Sequence, residues 1–334
     1  MPMTAVQVPE AGADFAVVEV PVPDPGPAQV RIEVAACGVC GGDELPRTGG
    51  PMVDYPRIPG HEIIGRIDAV GADVAAWDRG ERVGVGWYGG HCFDCGPCRR
   101  GQFTACADAH ITGAAGDGGY AEYTVANAEA LIPVPESLDA TAAPLTCAGL
   151  TAYNALRHTD AAASDLVAVQ GIGGVGHMGL QYAAAMGYET VALSRGTDKR
   201  EAALDLGADR FVDTTDVAAD EVLQSLGGAD VILGTAPSSD AIEGAVGGLA
   251  HGGEFVALAP PHEAVELPVG SFVNDRLSFR GWSSGHAGDA ADALAFSADR
   301  GIEPLTETYD LPEAEAAYSD MLAGDVRFRA VLVP

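Results

Sequence analysis

Four cysteines, Cys92, Cys95, Cys98 and Cys106, follow one another at spacings of two, two and seven residues. The loop that carries them has too few apolar residues to hold a shape of its own. Four thiolates this close can wrap one tetrahedral Zn²⁺, which would fold the loop and stay closed to substrate. Two disulfides would belong to an oxidising compartment. A zinc ribbon gripping nucleic acid would need a basic surface, and here 48 acidic residues face 18 basic ones for a net charge of −30. That balance repels phosphate backbones and anionic lipid, so nucleic acid and membrane partners are not expected. The neighbouring His91 is read as an ordinary loop residue, because four thiolates already complete the set.

The compartment reading agrees. Met1 to Val20 contains no basic segment followed by an apolar run, so a cytoplasmic protein is expected. Leu166 to Tyr188 is apolar enough to raise the question of a membrane span. Its six glycines, two glutamines and His177 argue instead for a buried strand, turn and helix. The scarcity of lysine, with Lys199 the single one, resembles salt-adapted proteins, while an acidic enzyme from a genome preferring Arg and Ala is the plainer alternative.

A chain of 334 residues exceeds one ordinary core, so two domains are expected. Up to about residue 150, Pro and Gly clusters separate short β-rich runs, such as Gln29 to Ala36, Ile63 to Val70 and Tyr120 to Val125. That texture predicts an irregular, mostly antiparallel β domain. Beyond it, Leu166 to Gln170, Thr190 to Ser194 and Val231 to Gly234 alternate with Ala-rich helical stretches, the pattern of βαβ units and a parallel sheet. Ala290 to Gly324 reads as helices around Pro304 and Pro312, and Phe328 to Val333 as a strand returning to the first domain.

Val167-Ala168-Val169-Gln170 runs straight into Gly171-Ile172-Gly173-Gly174-Val175-Gly176 and then an apolar helix. Such a turn aims backbone N–H groups and a helix dipole at a pyrophosphate, so a dinucleotide is expected there, held by Gly171, Gly173, Gly174, Val175 and Gly176. The next strand ends at Ser194-Arg195, where an Asp or Glu would grip both ribose hydroxyls of NAD(H). Ser and Arg can instead donate to a 2′-phosphate, which favours NADP(H). Lys199 is grouped with them as a cofactor-binding candidate. The alternative leaves Arg195 solvated and turns Asp198 toward the ribose.

The other cysteines, Cys37, Cys40 and Cys147, say little singly. In order along the chain, however, Gly38-Val39-Cys40 with Asp43 following, Gly60-His61-Glu62, the four-cysteine loop, and Cys147-Ala148-Gly149-Leu150-Thr151-Ala152-Tyr153 resemble the zinc-containing medium-chain alcohol dehydrogenases. The resemblance covers essentially the whole chain, including Arg327-Phe328-Arg329-Ala330-Val331-Leu332. It implies an α/β protein: a β-rich GroES-like catalytic domain over 1–150, completed by about 287–334, and a Rossmann doubly wound parallel-sheet cofactor domain over 151–286. Two zinc ions per chain are implied, one in the loop and one catalytic. Cys40, His61 and Cys147 match the ligands of the catalytic ion, with a fourth position open. Asp43 matches the carboxylate that orients His61, and Glu62 the one behind the metal. Cys37 is left as a packed thiol.

The implied reaction is reversible hydride transfer between a small alcohol, aldehyde or ketone and nicotinamide C4. Polyol, sugar or aryl-aldehyde reduction on the same scaffold is the alternative, and a non-catalytic redox sensor a remoter one. The family's hydroxyl relay is missing, since its positions hold Gly42 and Leu45. Water, Thr48 or Glu44 would have to replace it. Trp87 and Tyr88 are read as pocket walls or core aromatics. A homodimer or homotetramer is implied by the relatives.

Overall fold

The computed structural model describes residues 1–334 and divides into two compact units, Met1–Leu150 with Gly285–Pro334, and Thr151–Ser284. The first begins with an antiparallel hairpin, β1 (Pro2–Gln7) and β2 (Ala16–Pro21). Then come β3 (Gln29–Gly38), the short helix α1 (Glu44–Thr48), β4 (Glu62–Val70) and β5 (Arg82–Val85). A small antiparallel pair, β6 (Tyr88–Gly90) and β7 (His110–Ile111), brackets the cysteine loop, and β8 (Tyr123–Asn127) and β9 (Ile132–Pro133) follow.

In β3 every second residue from Val30 to Ala36 is buried, the period-two alternation that turns one face to a core. Ile32, Ile63 and Ile67 are at most 2 % exposed in that core, and each such side chain contributes about 1.5–3 kcal/mol relative to exposure.

The chain enters the second unit inside α2 (Ala148–Arg157). Six parallel strands follow: β10 (Leu166–Gln170), β11 (Glu189–Ser194), β12 (Arg210–Asp213), β13 (Ala229–Gly234), β14 (Leu249–Ala257) and β15 (Ser278–Gly281). The helices α3 (Gly176–Met186), α4 (Arg200–Asp205), α5 (Ala219–Ser225), α6 (Ser239–Val246) and α7 (Val269–Asp275) alternate with them. The spatial order β12-β11-β10-β13-β14-β15 is that of a doubly wound Rossmann sheet. β10 is buried along its whole length, as a central strand covered on both faces must be. The apolar stretch from Leu166 is thus strand, turn and helix, and no helix of the chain is long and apolar enough to cross a membrane.

The remaining residues return to the first unit as α8 (Ala287–Arg300), β16 (Thr306–Asp310), α9 (Ala314–Ala323) and β17 (Arg329–Val333). The seven-stranded sheet runs β16-β17-β3-β4-β5-β9, with β8 on β3, and all its pairings except β16 with β17 are antiparallel. Two local expectations are corrected here. The stretch read as helices contains β16, whose polar Thr-Glu-Thr-Tyr-Asp run suits a sheet edge paired on one side only. Regular strand pairing after the Gly118–Gly119 turn starts at Tyr123 rather than Tyr120, because the Tyr120 amide donates to the Pro59 carbonyl instead of to a sheet neighbour.

Candidate active site

Cys40 lies just past the end of β3, His61 just before β4, and Cys147 just before α2. The sulfurs of Cys40 and Cys147, a ring nitrogen of His61 and a carboxylate oxygen of Glu62 all lie within 4.8 Å of one another. His61 is 1 % exposed, and its Nε2 is buried without a hydrogen-bond partner. Its other nitrogen, Nδ1, lies 3.1 Å from Asp43 Oδ1, and Asp43 is itself buried. The carboxylate accordingly keeps a proton on Nδ1 and turns Nε2 toward the sulfur pair, where it can ligate once an ion displaces its proton. A buried ring nitrogen without a partner is costly unless a cation completes it, and two sulfurs with one imidazole form a zinc donor set.

The electrostatics agree. A hydrogen bond from the Cys147 thiol, helped by His61 and Arg329, holds Cys40 well below the ordinary thiol value, while the same bond and burial hold Cys147 well above it. Burial pulls the His61 imidazole down, but Asp43 and Cys40 outweigh it and leave the ring well above its usual value, so in the absence of an ion Nε2 keeps a proton beside the Cys40 sulfur, in the place a cation would take. The Gly42 amide donates to the Cys40 sulfur at 3.5 Å, adding one more partner for a thiolate.

Glu62 is fully buried, and Arg329 Nη2 donates to both its oxygens at 2.6 Å. The same nitrogen lies 2.8 Å from the Val39 carbonyl. Burial pushes the Glu62 carboxyl up to about 8 against the pull of Arg329. The sequence reading did not reach Arg329 as a site residue. Its signal was a lone cation heading the apolar run Ala330-Val331-Leu332-Val333, where a buried charge demands a partner. Tyr120, whose hydroxyl donates to Asp43 at 2.8 Å, was missed as well.

The two side chains read as relay substitutes have partners of their own. The Thr48 hydroxyl donates to the Glu44 carbonyl at 2.8 Å, and the Glu44 carboxylate accepts from Tyr318. Position 42 leaves no room for a hydroxyl. A Cβ there would lie 2.8 Å from the Trp87 ring and 2.9 Å from His61 Cε1. Trp87 stands edge-to-face on His61, with centroids 4.8 Å apart and planes at 89°, so it walls this site. Tyr88 instead leans on His91, 5.9 Å away. Cys37 is a buried thiol raised by burial and by Asp43.

In the second cluster the sulfurs of Cys92, Cys95, Cys98 and Cys106 also lie within 4.8 Å of one another. All are free thiols, with Cys92 3.5 Å from Cys106 and 4.0 Å from Cys98. Zinc–thiolate bonds of about 2.3 Å put the edges of a sulfur tetrahedron at about 3.8 Å, so the spacing fits a metal and not a disulfide. Amides of Cys92 and Asp108 donate to Cys106 and hold its thiol low, and those of Ala107 and Cys98 bring Cys95 to about 6. His91 contributes no ligand; it packs against Phe103 at 5.4 Å.

In the second unit Gly171 to Val175 form the turn from β10 into α3, beside the point where the strand order reverses between β10 and β13. A Cβ on Gly176 would fall 1.9 Å from the Gly171 carbonyl oxygen, so only glycine lets the helix close onto the turn. Nothing lies within 4 Å of the Cβ position of Gly173, which leaves its backbone open to a phosphate. Thr235 clamps the turn by donating to the Gly171 carbonyl at 2.6 Å. Ser194 is buried at the end of β11, Arg195 is exposed after it, and Lys199 precedes α4. The loop between them is tied down through Gly196, whose amide donates to Asp213 at 2.8 Å.

A GroES-like β unit holding a Cys₂His cluster and a cysteine loop, together with a Rossmann unit, defines a zinc-type medium-chain dehydrogenase/reductase. Residues 26–136 match the alcohol dehydrogenase GroES-like domain and residues 174–299 the zinc-binding dehydrogenase family, and the chain belongs to the zinc-type alcohol dehydrogenases, which are oxidoreductases. It is 41% identical over 324 residues to alcohol dehydrogenase notN of an Aspergillus species, covering 97% of this chain and 95% of that one. It is 35% identical to the NADP-dependent alcohol dehydrogenase C of Mycobacterium bovis over 319 residues, 92% of each chain. Among solved structures, AibC superposes with a TM-score of 0.93 at 28% identity, over 100% of this chain and 96% of that one.

Proposed function

We propose that the chain is a zinc-dependent, NADP(H)-preferring dehydrogenase that interconverts small alcohols with aldehydes or ketones. The observation that carries this reading is His61. Its Nε2 is orphaned beside two sulfurs while Asp43 holds Nδ1, which is the arrangement of a metal ligand and not of a satisfied core histidine. Cys40, His61 and Cys147 would hold the catalytic ion. Cys92, Cys95, Cys98 and Cys106 would hold a second, structural one.

A zinc ion in the three-donor site supplies Lewis acidity, which brings an alcohol's pKa toward neutrality and polarises a carbonyl in the reverse direction. Around it Asp43 fixes the His61 tautomer, Arg329 balances Glu62, and Trp87 limits the space beside His61. A dinucleotide on the second unit supplies the hydride acceptor or donor. Its pyrophosphate is received by backbone amides of Gly171 to Gly176. Ser194, Arg195 and Lys199 receive the 2′-phosphate, a reading supported by the absence of a carboxylate at the end of β11. Asp213, at the end of the next strand, anchors the loop that carries Arg195, its Oδ1 accepting from the Gly196 and Thr215 amides and the Thr215 hydroxyl. With no side-chain hydroxyl at position 42, the substrate proton leaves through water. The unit of function is proposed to be a homodimer or homotetramer.

Absorbance at 340 nm, followed with NADPH and then NADH over a panel of aldehydes and ketones, before and after chelation, tests each part. Faster oxidation of NADPH that chelation abolishes is the expected result. Faster NADH oxidation overturns the cofactor preference, and turnover that survives complete metal removal overturns the metal site.

A further inference from the structure

The reading of Cys40, His61 and Cys147 as a metal site leads to a residue well outside the ligand set. Tyr120 is completely buried, and its hydroxyl donates to Asp43 Oδ2 at 2.8 Å. The Cys40 amide donates to the same oxygen at 2.9 Å, which leaves Oδ1 to receive His61 Nδ1. Two donors on one oxygen stop the carboxylate from rotating about its terminal bond, the soft torsion of an aspartate.

The ring that delivers this hydroxyl is itself fixed to the segment that presents His61. Amides of Gly118, Gly119 and Tyr120 donate to the carbonyls of Ile58, Gly60 and Pro59 at 2.8–3.0 Å. The Tyr120 ring covers the α-carbon of Gly60 so closely that a Cβ there would lie 2.4 Å from it. On another side Phe15 meets the ring edge-on at 5.9 Å. Tyr120 and His61 therefore move as one piece, and a shift of the hydroxyl is a shift of Asp43.

We infer that Tyr120 is a positioning residue of the metal site, acting through Asp43 to hold the His61 ring in its ligating orientation. Removing a partner that orients a ligating histidine typically costs 10- to 100-fold in metal affinity, and one bond further out the lower end applies. Phenylalanine keeps the ring and its packing, so Tyr120→Phe separates the hydroxyl from the core.

The experiment follows release of the ion from the holoenzyme with a chromophoric chelator, and the phase belonging to this site is identified by its absence in Cys147→Ser. Tyr120→Phe is expected to release that ion about tenfold faster than wild type, with the cysteine-loop phase unchanged. Asp43→Asn should have the larger effect, and the double variant should match Asp43→Asn alone, since a residue acting only through Asp43 adds nothing once Asp43 is altered. In the cobalt-substituted enzyme the visible absorption of this site should shift in Tyr120→Phe, a readout available even if Asp43→Asn fails to fold. Wild-type release with an unshifted spectrum, or effects that multiply in the double variant, overturns the inference. A wild-type enzyme carrying an ion in the cysteine loop alone would overturn the site assignment itself.

Discussion

Arg329 and Glu62, 267 residues apart in sequence, meet as a fully buried ion pair at 2.6 Å directly behind the Cys40, His61 and Cys147 cluster. Removing one member strands the other charge where water cannot reach it, at a cost of about 3–5 kcal/mol. Glu62→Gln, which strands the guanidinium, should lower stability by that order in denaturant titrations, and Arg329→Met by less, because a carboxyl already raised to about 8 takes up a proton instead of standing as an isolated charge. Glu62→Gln combined with Arg329→Met should recover part of the loss, because no isolated charge remains.

Restoring a serine at position 42 should not restore a relay. With its Cβ less than 3 Å from both Trp87 and His61, Gly42→Ser should reduce kcat/KM at least tenfold by displacing the imidazole. Adding Trp87→Ala should return much of the activity by opening that space. Steady-state kinetics on the single and double variants checks both.

Cofactor choice should respond to Arg195. A hydrogen bond to a charged group is worth about 1.5–3 kcal/mol, so Arg195→Asp should lower kcat/KM for NADPH by about 10- to 100-fold while sparing NADH. Equal losses with both cofactors would show that Arg195 does not meet the 2′-phosphate.

The loop that carries Arg195 should have an acid-sensitive anchor. Amide and hydroxyl donors of Thr215, with the Gly196 amide, hold the Asp213 carboxyl below its ordinary value of 3.8. A depressed carboxyl adds stability above the unfolded-state value and loses it as pH falls through the folded one. The Tm gap between wild type and Asp213→Asn should therefore be present at neutral pH and close in acid, below the ordinary carboxylate range. A gap independent of pH would assign the effect to shape and not to charge.

The cysteine loop should fail as a unit. Cys98 is buried while its three partners are half-buried, so Cys98→Ser should release one equivalent of metal and lower Tm, read by elemental analysis and a thermal scan.

What could be read in advance divides along physical lines. The fold class was legible because each signal is local: period-two runs in the first unit, buried strands alternating with helices in the second, and a strand-turn-helix around Gly171. The cysteine loop was legible for the same reason, since spacing alone confines four sulfurs. Cys40, His61 and Cys147 sit on separate elements, and only the resemblance could group them. Arg329 and Tyr120 matter through contacts made across the sheet and the loops beside it, which no local pattern encodes. β16 was misread because a polar edge strand lacks the apolar alternation that marks its neighbours. The partners of Thr48 and Glu44 divide the same way: a carbonyl of their own helix is local, but Tyr318 lies 274 residues from Glu44 and no pattern announces it.

The insertion of β17 beside β3 also orders events on the ribosome. Arg329 reaches the carbonyl of Val39 across 290 residues, so the sheet next to Cys40 stays one strand short while everything between them is being translated. The Rossmann unit, whose strands all lie within Leu166 to Gly281, can close first. Until β17 arrives, Glu62 has no Arg329 against it, and the cluster of Cys40, His61 and Cys147 is flanked by an open sheet edge. On the proposed assignment, metal loading at Cys40, His61 and Cys147 should thus be a late step of biogenesis, whereas the cysteine loop, whose four sulfurs lie within 15 residues from Cys92 to Cys106, could take an ion as soon as Cys106 emerges.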